Sequence, residues 1–497
     1  MTEGANTGRG FAREIEVAPF IDGKICPSSS DKRFVLVNPA TGEASVETPA
    51  GCAEDTGRAV ASARAAFEDG RWSGLAPAAR SAILHEFADL IETEADSLDR
   101  LDAEDMGKPV SLAYANAAAG AALVRSYADL ATSIIGDTFD GGGDCLIVQA
   151  RLPRGVVGAV TPWNFPTVNA LFKAAPALAA GNCVVLKPSE YSPRSAQRLA
   201  ALALEAGVPP GVLNLTPGKG ETVGKALALH SDVDMLTFTG STAVGRLMLQ
   251  YAGWSNLKLV HAECGGKSPQ IVFPDFEDLD VIADNVAQMI LVNQGQLCVA
   301  GSRLIVHRDV EEALVAKVVD RLKRVVIGDP LNPENTLGPL ASERQLDRVL
   351  SYIRTGQEQG GHLVAGGRHV LEETGGYFVE PAVFSDVQPQ DVIAQEEIFG
   401  PVLAESRFDT IEQAISLANA TRYGLSATVW TQDMKTAMHL ARNIRAGSVT
   451  VNADRPKGAW APALSVEPCG HSGVGVESGL AGLESYMRRQ TMSFNHA

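Results

Sequence analysis

Apolar residues recur at helical spacing through the first third of the chain. Two stretches, 55–68 and 78–105, place apolar side chains three or four residues apart, which predicts amphipathic helices. Pro77 stands where a first-turn proline is tolerated, and Gly107 stands where a glycine commonly ends a helix. A third helix is expected over 116–134. The N-terminal portion is therefore predicted to be helical.

Beyond a glycine-rich turn at 141–143, short apolar runs alternate with helical stretches. The expected strands are 156–160, 183–186, 212–215, 235–238 and 258–260, and the expected helices are 170–179, 195–205, 221–229 and 243–251. Such alternation predicts a parallel sheet with right-handed crossovers, an architecture typical of nucleotide binding. A second series follows the Gly265-Gly266 turn, with strands at 270–273, 303–306, 427–430 and 448–451 and a helix at 279–292. The predicted fold class is α/β, with two α/β domains.

The composition narrows the range of partners. A formal net charge of −17 repels phosphate backbones, so we expect no nucleic-acid partner. No membrane association is expected, because the most apolar stretch, 169–186, is interrupted by Lys173 and Asn182. Residues 1–13 carry scattered charges and do not resemble a secretory signal. Seven scattered cysteines without a CxxC pair fit a reducing compartment, so the expectation is a cytoplasmic protein without disulfides or a metal site.

Candidate chemistry centres on Cys298, which follows a helix-length apolar run and Gly295. A lone cysteine is usually a small buried apolar residue, although a thiolate is a strong nucleophile at neutral pH. Asn164 and Glu263 each stand at the end of an expected strand, where α/β enzymes bind ligands. An amide there can donate to an oxyanion, and a carboxylate can act as a base. Each residue taken singly is more often part of an ordinary loop.

A series of short motifs favours a functional role for these residues over ordinary loop positions. In chain order they are Asn-Pro-Ala-Thr-Gly at 38–42, Gly-Lys-Pro at 107–109, Pro-Trp-Asn-Phe-Pro at 162–166, Lys-Pro-Ser-Glu at 187–190, Phe-Thr-Gly-Ser-Thr at 238–242, Gly-Gly-Lys-Ser-Pro at 265–269, Gly-Gln-Leu-Cys at 295–298 and Glu-Ile-Phe-Gly-Pro at 397–401. In order and spacing they resemble the aldehyde dehydrogenase superfamily. The resemblance runs from about Ile21 to the C-terminus.

The resemblance implies three catalytic roles. Cys298 would be the nucleophile that attacks an aldehyde, and the Asn164 side chain with the Cys298 backbone N–H would hold the oxyanion. After hydride transfer to the cofactor, Glu263 would activate the water that hydrolyses the thioester. Members that pass the acyl group to coenzyme A typically lack a glutamate there, so hydrolysis is favoured.

The resemblance also implies a cofactor site. Its expected contacts are Trp163, Lys187, Glu190, Gly240, Ser241, Glu397 and Phe399. The segment 240–245 opens an expected helix after a strand, which gives phosphate binding a physical basis. Glu190 would accept from a ribose hydroxyl and repel a 2′-phosphate, so NAD is preferred to NADP. The alternative for Glu190 is an ordinary solvated surface carboxylate.

Two positions depart from the family pattern. Residues 466–473 replace a common Phe-Gly-Gly-x-Lys-x-Ser-Gly segment that forms part of the substrate entrance in relatives. Cys264 stands where leucine is usual; we interpret it as a core replacement, with a redox partnership with Cys298 as the alternative.

The substrate is expected to be polar. The substrate tunnel would be lined by Asn169, Phe172, Trp460 and Val466. A buried amide at 169 favours a polar, amino-bearing or polar-substituted aromatic aldehyde, because an unpaired amide costs about 1–3 kcal/mol. The alternative is a broad-specificity or semialdehyde-type enzyme in which that amide binds water.

By resemblance, a coenzyme domain spans 1–134 and 154–263, a catalytic domain spans 264–466, and an oligomerisation flap combines 135–153 with 482–497. A homodimer or homotetramer is expected, since unpaired edge strands invite pairing. Two other functions remain open. One is an acylating enzyme of the same fold, against which Glu263 argues. The other is a binding protein without turnover, against which the intact set of motif residues argues.

Overall fold

The computed structural model describes residues 15–142, 144–453 and 464–495. The N-terminal part contains β1 (Phe20–Ile21), β2 (Lys24–Ile25), β3 (Arg33–Val37), β4 (Ala44–Pro49), α1 (Ala53–Glu68), α2 (Pro77–Thr93), α3 (Ala95–Met106) and α4 (Ala117–Ala131). The prediction of one helix over 78–105 was wrong. The chain breaks at Glu94 (φ −100°, ψ 15°), whose carboxylate forms an ion pair with Arg198.

The first parallel sheet follows. Its elements and the flap strands before it are β5 (Asp137–Asp140), β6 (Cys145–Pro153), β7 (Val156–Val160), α5 (Pro166–Ala179), β8 (Cys183–Lys187), α6 (Arg194–Glu205), β9 (Leu213–Leu215), α7 (Lys225–Leu229), β10 (Met235–Thr239), α8 (Thr242–Trp254) and β11 (Leu259–Glu263). The parallel strands lie in the order β9-β8-β7-β10-β11. The order reverses between β7 and β10, and ligands bind at such a switch point beside the carboxyl ends of the strands.

The inner strands of this sheet are buried along their whole length. Every residue of β7 and of β8 is buried, and both strands have nearly continuous apolar sequences, as expected when helices cover both faces of a sheet. Gly158 in β7 lets two leucines approach closely, since a Cβ there would lie 3.0 Å from Leu227 and from Leu236. The carboxyl ends of β7 and β10 are thus held by a tightly packed core.

A second sheet is built from the middle of the chain. Its region contains β12 (Pro269–Val272), α9 (Leu279–Leu291), β13 (Arg303–His307), α10 (Glu311–Leu322), α11 (Glu343–Glu358), β14 (His362–Ala365), β15 (His369–Val370), β16 (Phe378–Val379), β17 (Ala382–Ser385), α12 (Val392–Gln395), β18 (Val402–Phe408), α13 (Ile411–Ala418), β19 (Tyr423–Gly424), β20 (Ser426–Trp430), α14 (Met434–Asn443) and β21 (Ser448–Val451). The strand order is β14-β17-β18-β13-β12-β20-β21, with only β14 antiparallel. The α/β fold class is confirmed.

The C-terminal part joins the two sheets. It contains β22 (Cys469–Gly470), β23 (Gly473–Val474), α15 (Gly479–Ser485) and β24 (Met487–Asn495). β22 pairs with β19, and β23 pairs with β11. Between them, the buried Ser472 accepts from the Gly424 amide at 3.0 Å and from the Cys264 amide at 2.8 Å. The segment that departs from the family pattern is therefore fixed by bonds to both sheets.

The flap is a three-stranded antiparallel sheet in the order β24-β6-β5. β24 pairs with β6 in one continuous register, from Met487 opposite Pro153 to Asn495 opposite Cys145.

Within the described ranges, no helix is both long and apolar enough to cross a bilayer.

Candidate active site

Two of the expected catalytic residues stand at the carboxyl edge of the first sheet. Asn164 lies four residues beyond β7, and Glu263 is the last residue of β11. β10 lies between these strands and pairs with both, so the two side chains follow the same edge near the switch point. This edge of the sheet therefore carries an amide side chain and a carboxylate.

The chain reaches Cys298 through a left-handed turn. Asn293 (φ 48°), Gln294 (φ 58°) and Gly295 (φ 68°) follow one another in the left-handed region, where a residue with a side chain is strained by about 1–2 kcal/mol. Glycine is required at the third position, because a Cβ on Gly295 would lie 2.3 Å from the Gly400 carbonyl oxygen. Sequence periodicity gave no sign of this turn.

Buried amides hold the strained turn in place. The Asn293 side chain donates to the Asn164 carbonyl oxygen at 2.6 Å, and the Gln294 side chain donates to the Gly107 carbonyl oxygen at 3.0 Å. The Gln296 side-chain oxygen accepts from the Ala341 amide at 3.0 Å. These bonds tie the segment before Cys298 to three distant parts of the chain, and the first of them reaches the loop after β7.

The Asn164 side chain points at the same segment. Its Nδ2 donates to the Gln296 carbonyl oxygen at 3.0 Å, and its Oδ1 accepts from the Asn169 amide at 3.4 Å. Asn164 is buried. The Asn164 amide is therefore oriented at both of its ends, and its acceptor Gln296 stands two residues before Cys298 in the chain.

Three carboxylates influence the thiol of Cys298. Burial raises the pKa of this thiol to about 12, and the negative charges of Glu397, Glu263 and Glu477 add to the effect, while a hydrogen bond from the Val299 backbone opposes it. The thiol is therefore protonated at neutral pH in this state. The influence of Glu263 and Glu397 on the thiol shows that the structure brings the predicted residues into one region.

Glu263 belongs to a buried group that the sequence reasoning missed. The ammonium of Lys173, on α5, forms an ion pair with Glu477, and Lys173 is buried. Burial raises the pKa of Glu263 well above its usual range, the charge of Glu477 adds to this, and the charge of Lys173 opposes it. The sequence did carry one sign of this group. Lys173 interrupts a largely apolar stretch, and a charge that is buried there needs a partner of opposite charge.

The expected cofactor residues line the outer part of the same edge. The Lys187 ammonium, at the end of β8, lies 3.1 Å from a Glu190 carboxylate oxygen. Ser241 caps α8 by accepting from the Val244 amide at 3.4 Å, and Gly240 precedes it directly. A helix N-terminus that follows a strand at a switch point fits the phosphates of a dinucleotide.

Glu397, Trp163 and Phe399 are the remaining residues expected to contact the cofactor. The Glu397 carboxylate accepts from the Gly266 amide at 2.9 Å, and a Cβ on Gly265 would lie 2.2 Å from it, so the absence of a side chain at Gly265 makes room for the carboxylate. Burial raises the pKa of Glu397 to about 7. The rings of Trp163 and Phe399 meet edge-on at 5.3 Å. The residues present therefore fit a ribose beside the thiol.

Two of the expected tunnel residues, Asn169 and Phe172, lie on α5. Phe172 is buried on α5, and Asn169, one turn earlier, has its amide on Asn164 Oδ1. Val466 is held by two backbone hydrogen bonds with Glu477, at 2.8 and 2.9 Å. Trp460 lies outside the described residues. Tyr114, which the sequence reasoning missed, packs edge-on against Phe165 at 6.0 Å.

Cys264 directly follows Glu263, and its thiol packs against α8. A Cβ on Gly245 of that helix would lie 2.6 Å from the Cys264 sulfur. Burial raises the pKa of the Cys264 thiol to about 12, and all seven cysteines are free. The structure supports the interpretation of Cys264 as a core replacement.

Comparison with known proteins identifies the class. The model of the aldehyde dehydrogenase family matches residues 25–492, so the chain belongs to this family of oxidoreductases. It is 44% identical over 434 residues to the aminoacetaldehyde dehydrogenase of Pseudomonas aeruginosa, a match that covers 87% of each chain.

Solved structures give the same result. An indole-3-acetaldehyde dehydrogenase in complex with NAD⁺ is 44% identical, with a TM-score of 0.94 and coverage of 97% of this chain and 98% of that chain. The γ-glutamyl-γ-aminobutyraldehyde dehydrogenase of Burkholderia cenocepacia is also 44% identical, with a TM-score of 0.94 and coverage of 97% of both chains. The expected enzyme class and NAD as cofactor are confirmed.

Proposed function

We propose that the protein oxidises a polar aldehyde to a carboxylic acid with NAD, through a thioester on Cys298 that Glu263 helps to hydrolyse. One observation carries this proposal. The Asn164 amide is bonded to Gln296, two residues before Cys298, while the Glu263 carboxylate raises the pKa of the same thiol. An oxyanion donor, a nucleophile and a base thus come together from three separate segments of the chain.

The first step is attack of sulfur on the aldehyde carbon. The Cys298 thiol loses its proton to solvent, and the resulting thiolate is the attacking group. As the C–S bond forms, the carbonyl oxygen becomes an oxyanion that accepts from Asn164 Nδ2 and the Cys298 backbone N–H. One such donor typically contributes a factor of about 10²–10³ in rate.

NAD, when bound, supplies the acceptor for the hydride that leaves the substrate carbon. Lys187, Glu190 and Ser241 would hold its adenosine and phosphate portions, and Glu397 would hold the ribose next to the thiol. Trp163, Gly240 and Phe399 would border it. Loss of the hydride leaves an acyl group on Cys298 as a thioester.

The second step is hydrolysis. Glu263 takes a proton from water, the water oxygen attacks the thioester carbonyl, and the C–S bond breaks to release Cys298. The ion pair of Lys173 and Glu477 lies beside Glu263 and adjusts its pKa. The presence of Glu263 favours water over coenzyme A as acyl acceptor.

Replacement of the nucleophile tests the mechanism. Cys298→Ala should abolish NADH production while NAD binding, measured by protein fluorescence, persists. Cys145→Ala is a matched control, because this cysteine lies on β6 of the flap and its loss should leave turnover near normal. Turnover by Cys298→Ala comparable with that of the control would refute the proposal.

For the substrate, we infer a polar or amino-bearing aldehyde, or a polar-substituted aromatic one. The support is the Asn169 amide beside Asn164, with Phe172 next to it on α5. Relatives at 44% identity are named for aminoacetaldehyde, indole-3-acetaldehyde and γ-glutamyl-γ-aminobutyraldehyde. These names share a polar group or an aromatic ring attached to the aldehyde.

Comparison of kcat/KM for hexanal, decanal, 4-aminobutanal and a hydroxylated benzaldehyde tests this inference. The polar substrates should be preferred, and Asn169→Leu should narrow that preference, whereas Val474→Leu, an exposed site on β23, should not. Equal values throughout would favour the broad-specificity alternative. Clear superiority of decanal would contradict a polar tunnel.

We further propose a cytoplasmic homodimer or homotetramer with the division into coenzyme domain (1–134 and 154–263), catalytic domain (264–466) and flap (135–153 and 482–497). The flap leaves the outer edges of β5 and β24 without a partner strand among the described residues. Helix α8 also exposes Leu247, Leu249 and Trp254, an apolar surface unusual for a monomer. Light scattering coupled to size-exclusion chromatography measures the assembly.

A further inference from the structure

A group of buried charges includes Lys108 of the Gly-Lys-Pro motif, to which the proposed mechanism gives no role. The Lys108 ammonium is buried, 2.8 Å from an Asp99 carboxylate oxygen and 3.4 Å from an Asp102 oxygen. Asp102 is buried as well, which raises the pKa of its carboxyl, and the charge of Lys108 opposes that effect. Because a buried charge is costly unless it is paired, Lys108 keeps the Asp102 carboxylate ionised.

Asp102, which lies on α3, binds the first turn of α5. Its carboxylate accepts from the Thr167 hydroxyl at 3.1 Å and from the Thr167 backbone amide at 3.4 Å. The N-cap of α5 is Phe165, whose side chain cannot accept a hydrogen bond, and residues 166–169 of the first turn are uncharged. The free amides at a helix N-terminus favour a negative charge. Asp102 therefore supplies from α3 the carboxylate that the sequence of α5 does not provide.

The turn that Asp102 binds directly follows the oxyanion donor. Asn164 stands two residues before the start of α5 and three residues before Thr167. The Asn164 Oδ1 also accepts from the side chain of Asn169, which lies in the same first turn. A shift of this turn would therefore move the backbone of Asn164 and one partner of its side chain together.

The residue before Lys108 contacts the segment of the nucleophile. The Gly107 carbonyl oxygen accepts from the Gln294 side chain, in the left-handed turn that leads to Cys298. Gly107 ends α3 with φ 84°, and a Cβ there would lie 2.6 Å from the Pro339 carbonyl oxygen, so glycine is required. Adjacent residues of one motif are thus linked to the segments that carry the nucleophile and the oxyanion donor.

We propose that Lys108 and Asp102 are positioning residues for the oxyanion donor. The ammonium keeps the Asp102 carboxylate charged, the carboxylate holds Thr167, and α5 then presents the Asn164 amide to the oxyanion. This inference rests on the oxyanion role proposed above for Asn164. Because both residues act through α5, their loss should slow the chemical step and leave the KM for NAD near its wild-type value.

Two substitutions of Thr167 test the link between Asp102 and α5. Valine has the shape of threonine without the hydroxyl, so Thr167→Val should lower the rate of the NADH burst by about fivefold, less than the factor of about 10²–10³ for a lost oxyanion donor. Thr167→Ser keeps the hydroxyl and should stay near the wild-type rate. Thr56→Val is the matched control, because this buried threonine of α1 donates from its hydroxyl to the Cys52 carbonyl oxygen at 3.0 Å. It should keep the wild-type burst rate.

A double-mutant cycle shows whether the effect passes through Asn164. Asn164→Ala alone should lower the burst rate by about 10²-fold, and Lys108→Met alone by about tenfold. In the Asn164→Ala background, Thr167→Val and Lys108→Met should cause no further loss, because the donor that they position is already absent. A change that acts independently of Asn164 would instead lower the rate by the same factor in both backgrounds.

The outcomes separate this inference from the proposed function. A normal burst rate in Asn164→Ala would refute the oxyanion role and the positioning with it. If Asn164→Ala is impaired, a wild-type rate in Thr167→Val, an equal loss in Thr167→Ser, or the same loss in both backgrounds would overturn the positioning role alone. A raised KM for NAD with an unchanged burst rate would do the same. Thr167→Val keeps the buried ion pairs, so its result decides even where Lys108→Met does not fold.

Discussion

Replacement of Asn293 tests how the site is assembled. This residue is buried, its φ is 48°, and its side chain donates at 2.6 Å to the carbonyl oxygen of Asn164. In Asn293→Ala a buried carbonyl oxygen loses its donor, at about 1–3 kcal/mol. Alanine also tolerates the left-handed region less well than asparagine does, at about 1 kcal/mol. We therefore expect a loss of stability of about 2–4 kcal/mol.

The same change should impair catalysis more than binding. Without the bond from Asn293, the loop that carries Asn164 loses one of its ties to the segment before Cys298. Complete loss of an oxyanion donor costs about 10²–10³ in rate, so a displaced donor should lower the rate of the NADH burst by about tenfold. The KM for NAD should change little, because Asn293 makes its hydrogen bond to Asn164 and not to the expected cofactor contacts Lys187, Ser241 or Glu397.

Asn293→Gly separates the two causes. Glycine adopts a positive φ without strain, so this variant should lose the hydrogen bond alone. Stopped-flow NADH formation should show equal defects in the two variants, and differential scanning fluorimetry should show alanine as the less stable. A burst rate at the wild-type level in both would refute the reasoning.

Three further predictions concern the charges of the site and the contact between the two sheets. Lys173 lowers the pKa of Glu263, so Lys173→Met should raise it and move the acid limb of the kcat–pH profile to higher pH; an unchanged profile would contradict the assignment. Glu190→Gln should improve kcat/KM with NADP relative to NAD by roughly tenfold, through loss of repulsion with the 2′-phosphate, and an unaltered cofactor ratio would exclude that role. Ser472→Ala removes the acceptor of the Gly424 amide and should lower the melting temperature, while an unaffected temperature would show that the joint between the sheets is held otherwise.

The sequence predicted the elements that depend on local pattern. The strands near 156–160 and 183–186 were found within a residue of their observed ends, because their apolar runs and flanking turns are strong signals. The break at Glu94 was not predicted; the carboxylate of this residue forms an ion pair with Arg198, which is far away in the chain. Helical periodicity continues across residue 94 and carries no sign of that partner.

In the site, too, some features could be predicted from the sequence and others depend on contacts between distant segments. Motif resemblance pointed to Cys298, Glu263 and Asn164, and the structure brings them into one region. The motifs gave no indication of the left-handed turn at Asn293. Hydrogen bonds of side-chain amides with Asn164, Gly107 and Ala341 stabilise this turn. Contacts of that kind depend on packing between distant segments.

The thioester on Cys298 is the central claim, and Glu263→Gln examines it most directly. This variant keeps the thiol and the oxyanion donor but lacks the base that activates water. Mixed with NAD and an aldehyde, it should form one NADH per site in a rapid phase and then stop. Intact-protein mass spectrometry should show the acyl group on Cys298. Continuous turnover at the wild-type rate, or a stalled enzyme without an acyl adduct, would contradict the account.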